Sequence, residues 1–126
     1  MIQSAQSARE FVRQLCGLAE RLADRDFVVA RLDCEWASFG CWSLEVQRGQ
    51  PADKYHAALM KEDWNAPGPN VLRFTWDGRE KLLTIQTAPT PPLSAAGPFK
   101  RVTDKVFEDL AQALRFAEEY VVNEPW

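Results

Sequence analysis

The sequence predicts an α+β fold, a two-layer sandwich. An antiparallel sheet of about four to five strands, drawn from two hairpins, carries an N-terminal and a C-terminal helix on one face. Three observations predict it: apolar residues recur at three- and four-residue spacing near both ends, they alternate with polar residues in between, and turn residues interrupt that alternation twice. At 126 residues, 46% hydrophobic and 26% charged, the chain has an ordinary globular composition. A chain of this size buries roughly two-thirds of its unfolded surface. A single domain spanning 1–126 is expected.

The first helix is expected to begin near Ser7, whose hydroxyl and Glu10 form a capping box. Ala8, Phe11, Val12, Leu15, Leu18, Ala19 and Leu22 make its core side, and Arg9, Arg13, Glu20 and Arg21 its solvated side. From Phe27 to Arg48 the period becomes two, with Val28, Ala30, Leu32, Cys34 and Trp36 answered by Trp42, Leu44 and Val46. A three-residue loop, Ser38 to Gly40, keeps both apolar rows on one face and gives Gly40 the left-handed position. This register sets Trp36 opposite Trp42, Cys34 opposite Leu44, Leu32 opposite Val46, Asp33 opposite Glu45 and Glu35 opposite Ser43. Cys34 and Cys41 then lie on opposite faces.

Residues 51–63 fit either a short helix or a strand, and the helix formers Ala57 to Glu62 favour the helix. Asn65 to Asn70, with two prolines, reads as a connector. Val71 to Thr87 is a second hairpin with Asp77-Gly78 as a two-residue tip, which pairs Trp76 with Arg79, Phe74 with Lys81 and Leu72 with Leu83. The stems of Arg79 and Lys81 would then cover the Trp76 and Phe74 rings. The Pro-rich stretch from Ala88 to Lys100 is expected to cross from sheet to helix without secondary structure, and Arg101 to Phe107 to add an edge strand. The last helix starts at Asp109, capped with Gln112, and turns Leu110, Ala113, Leu114, Ala117 and Val121 inward.

Composition then bounds function. With 15 Lys+Arg against 18 Asp+Glu, the net charge of −3 argues against a nucleic-acid binder driven by surplus cations. No run approaches the roughly 18 apolar residues of a membrane span. The N-terminus lacks the pattern of a secretory leader, and three cysteines, an odd count, suit a reducing compartment, so a cytoplasmic location is expected. No glycine-rich phosphate loop or metal-ligand spacing occurs, and no cofactor is expected.

The sheet face away from the helices is the expected functional surface. It gathers Asp33, Glu35 and Glu45 with Arg31, Arg48 and Arg73, and Phe27, Val29, Val71 and Leu82 project to the same side. This surface suits a basic protein partner or a second copy. Trp126 is unassigned by periodicity, and at the C-terminus it either folds back or anchors a homodimer interface. The first expectation is therefore a non-enzymatic interaction protein using Asp33, Glu35, Glu45, Arg73 and Trp126. The second is a small-ligand binder with an aromatic pocket of Tyr55, His56 and Trp64. The third is a hydrolase built on His56, the sole histidine. No stretch matches a family motif. In size, acidity and lack of a catalytic constellation the chain is similar in outline to small bacterial accessory proteins such as toxin-neutralising immunity proteins, a resemblance of fold class and composition only.

Overall fold

A computed structural model describes residues 5–48, 60–62, 70–88 and 99–126. In chain order the elements are α1 (Ala5–Asp24), β1 (Val28–Glu35), β2 (Cys41–Gln47), β3 (Val71–Asp77), β4 (Leu82–Ala88), β5 (Lys100–Val106) and α2 (Leu110–Asn123). The strands form one antiparallel sheet in sequential order, β1-β2-β3-β4-β5. Both helices lie on the same face, where a single core joins them to the sheet. Phe11, Leu15, Leu18 and Leu22 come from α1, and Ala113, Leu114, Ala117 and Val121 from α2. Trp42, Leu44, Val46, Leu72, Phe74, Trp76, Leu83 and Ile85 come from the strands. The expected sandwich is the observed one.

The helices follow their periodicity with one correction. Ser7 lies inside α1 (Ala5–Asp24) and not at an N-cap, and Glu10 accepts from Arg13 at 3.0 Å. Arg21, assigned to the solvated side, reaches Glu118 of α2 at 2.8 Å, while Val12 is 42% exposed. At the α2 cap the Asp109 carboxylate accepts from Gln112 N at 2.9 Å as expected, while Gln112 Oε1 accepts from Glu108 N at 3.2 Å, one residue before the reciprocal position. Among the described residues no helix is long and apolar enough to cross a membrane.

Hairpin registers differ from expectation. In the first, Cys34 faces Trp42, Leu32 faces Leu44, Asp33 faces Ser43 and Arg31 faces Glu45, a slip of two residues from the expected pairing. An even slip keeps every side chain on its face, so Cys34 and Cys41 do fall on opposite faces. It also exchanges an Asp33–Glu45 repulsion for an Arg31–Glu45 attraction, which is the better cross-strand pair. The slip is possible because Trp36 leaves the strand and packs its ring on Phe11, centroids 5.3 Å apart. Phe39 and Gly40, both at positive φ (59° and 73°), then reverse the chain.

A bulge at Ala30, where the register shifts between Val29 and Arg31, reverses the parity of everything before it. Val29 therefore faces Val46 on the helix side, Phe27 packs on the core, and Val28 turns outward. Phe27 and Val29 are thus not on the open face as expected. Arg48 also points to the helix side, where it donates to the carbonyls of Trp126 (2.8 Å) and Glu124 (2.9 Å).

In the second hairpin Trp76 faces Leu83, Phe74 faces Ile85 and Leu72 faces Thr87. The two-residue tip and the cover of Trp76 and Phe74 by Arg79 and Lys81 are therefore replaced by a four-residue turn, Gly78 to Lys81. Two effects favour it: Leu83 and Ile85, not cationic stems, meet the aromatic rings in the core, and the Asp77 carboxylate accepts from Arg79 N (2.9 Å) and Glu80 N (3.2 Å). Lys81 closes the turn at φ 54°. β5 forms as the expected edge strand.

Candidate functional site

The face of the sheet away from the helices is built in rows, because directly opposed residues of neighbouring strands share a side. One row runs Arg31, Glu45, Arg73, Gln86, Arg101, and the next runs Asp33, Ser43, Thr75, Thr84, Asp104. Of the expected site residues, Asp33, Glu35, Glu45 and Arg73 all belong to this face, but they divide into two groups.

Glu45 and Arg73 form an internal pair. Arg73 Nη2 and Nε both donate to Glu45 Oε1, at 2.7 and 2.9 Å. The guanidinium carbon stands 3.6 Å above the centroid of Phe99. The Glu45 side chain keeps only 18% of its exposure. With its charges paired to each other and one face of the guanidinium covered by Phe99, the pair contributes to cohesion of the sheet more than to an outside contact.

Asp33 and Glu35 lie toward the hairpin tips, where β1, β2 and β3 curve around a shallow concavity of about 610 Å³. Its wall carries Asp33, Glu35 and Asp77 as carboxylates, Arg31 as the one guanidinium, and Cys41, Ser43 and Thr75 as small polar groups. Arg31 Nε donates to Asp33 at 2.6 Å. Asp77 is used by its turn, and the thiol of Cys41 accepts from Gly78 N at 3.4 Å. Glu35 has no ion-pair partner among the described residues. The periodicity of β1 was sufficient to find Asp33 and Glu35. Asp77 and Thr75 were missed as members of the same wall because they read as turn and strand residues of a separate hairpin. Only the β2–β3 register brings them alongside.

Trp126 folds back on its own chain. Its indole donates to Val121 O at 3.0 Å, its ring stacks on Phe27 with centroids 6.1 Å apart, and Arg48 lies over it at 4.6 Å. Tyr55, His56 and Trp64, and with them the aromatic-pocket and hydrolase expectations, lie outside the described residues, as does most of the expected helix over 51–63. Met60 is helical, and Glu62 turns at φ 54°. The three thiols are free, Cys16 and Cys34 being exposed. Among the described residues no three His, Cys, Asp or Glu side chains gather closely enough to hold a metal ion. Compared with known proteins, the chain matches no family model, no curated protein and no solved structure.

Proposed function

We propose that this is a non-enzymatic interaction protein that receives a cationic protein segment on the open face, at the end where β1, β2 and β3 meet their turns. One observation carries the reading: the concavity there sets Asp33, Glu35 and Asp77 against a single guanidinium, Arg31. An arginine or lysine side chain entering it would meet carboxylates already ordered by the sheet, with Ser43 and Thr75 as neutral hydrogen-bonding neighbours. Glu45 and Arg73 pair with each other in the adjacent row, and among the described residues Arg31 is the cation on the wall of the concavity. Exposed thiols at Cys16 and Cys34 fit work in a reducing compartment such as the cytoplasm.

The test uses a fluorescently labelled octa-arginine peptide and anisotropy at low ionic strength. The wild type should bind it saturably, and added salt should weaken binding. Glu35→Lys should reduce affinity about fivefold, the effect of roughly 1 kcal/mol per exposed pair. Glu119→Lys, the same change of charge on the helix layer, should leave it unaltered. Absence of saturable binding, or equal losses in both variants, would remove the proposal.

A further inference from the structure

The sheet has two edges, and they are protected unequally. β5 carries three cations, Lys100, Arg101 and Lys105, and a register shift against Ile85 and Gln86 interrupts its pairing. Charges and bulges of this kind discourage edge-to-edge pairing. On β1 the bulge lies at Ala30, near the start of the strand, and leaves Arg31 to Glu35 as a regular run whose outer edge pairs with no other strand among the described residues.

A second surface, also uncovered among the described residues, belongs to α1, which packs on that strand. α1 packs over β1 and beside α2, with Gln14 and Arg21 on the flank that meets Ala111 and Glu118. At 100° per residue the opposite flank presents Val12, Cys16, Ala19 and Ala23, a stripe separate from the core stripe Phe11, Leu15, Leu18, Leu22. Val12, Cys16 and Ala23 are exposed, and Ala19 is half-buried. This flank is turned away from α2, on the side of the sheet that ends in β1.

We infer that a second copy of the chain covers both surfaces. The β1 strands would pair antiparallel across a two-fold axis, the sheet would continue through the interface, and the two α1 helices would lie flank to flank above it. The inference goes beyond the cationic-segment reading and does not depend on it.

Charge complementarity selects a second copy as the occupant. An axis near Leu32 places Arg31 opposite the partner subunit's Asp33, and by symmetry Asp33 opposite the partner subunit's Arg31. α1 runs antiparallel to β1, with Phe11 at the level of Trp36 and Leu22 near Phe27, so the same axis passes close to Cys16. There the antiparallel helices set Arg9 and Arg13 beside the partner subunit's Glu20. Small side chains along the stripe permit close helix approach. The helix flank is about 30 Å long, at about 1.5 Å rise per residue, alongside the open strand. That extent suits an isologous dimer interface.

Light scattering of the purified chain across a concentration series tests this. The expected mass is twice 14.3 kDa. Cys16→Arg and Ala23→Arg, both at exposed positions, should each return it to the single-chain mass while far-UV circular dichroism stays unchanged. In a Cys34→Ser background, which leaves Cys16 as the exposed thiol, a short bis-maleimide should cross-link two chains, and adding Cys16→Ser should abolish the cross-linked band. Thr75→Lys, which adds a cation to the open-face concavity but lies on β3, away from β1 and α1, should leave the mass at the dimer value, which separates this inference from the open-face reading. A wild-type monomer at several hundred micromolar, or a dimer indifferent to both arginine variants, would overturn it.

Discussion

At Gly78 the two hairpin turns touch. A Cβ built there would overlap the carbonyl oxygen of Phe39 and stand 2.8 Å from its carbon, so hydrogen is the only side chain the site accepts without moving backbone. Gly78→Ala should therefore destabilise the fold by about 2 kcal/mol, the scale of overpacking in a close-packed region. Urea denaturation would read this as a lower midpoint at unchanged slope, and a midpoint equal to wild type would contradict the contact. Asp77-Gly78 looked like a turn signal in the sequence and is one, but the need for glycine comes from a neighbour 39 positions away, which no local pattern carries. Phe39 is the counterpart: 65% exposed at φ 59°, it holds a conformation unusual for an aromatic residue because its carbonyl is fixed against that turn.

Among the elements, α2 was legible down to its cap because every signal is local: Asp109, Gln112 and the apolar spacing lie within one short stretch. Asp109→Ala should cost about 1 kcal/mol and Asp109→Asn much less, since the amide oxygen can still accept from Gln112 N. Thermal melts of the two variants distinguish these outcomes, and equal losses would assign the effect to charge instead of the cap. Strand faces were also legible, because both hairpins slipped by an even number of residues and parity survived. Cross-strand partners were not, because they depend on how the turns close: Trp36 is drawn onto Phe11, and Asp77 is engaged by its own turn. The bulge at Ala30 was hidden for a different reason. Val28, Val29 and Ala30 are all apolar, so alternation there gives no phase, and the choice falls to Val29 meeting Val46 and Phe27 meeting Trp126.

In the whole molecule, the C-terminus joins parts that are far apart in sequence. Trp126 touches Phe27 at the start of β1, the Val121 carbonyl on α2, and Arg48 after β2. Trp126→Ala should lower stability by about 2 kcal/mol, less than a fully buried tryptophan because the ring is half-exposed. Hydrogen exchange should quicken at Phe27 and Val29 as well as along the last turn of α2. Protection lost only near residue 121 would mean that the ring does not couple the two ends.

The contact between Gly78 and the Phe39 carbonyl also constrains how the chain can vary over time. Hairpin loops ordinarily tolerate insertions one at a time, since each ends in solvent. Here the loop from Trp36 to Gly40 and the turn from Gly78 to Lys81 share one surface, so lengthening either displaces the other along with the wall that holds Glu35, Cys41 and Asp77. The two loops should change length together or not at all. Viable natural variants with altered loops are therefore expected to be paired changes, one in each hairpin.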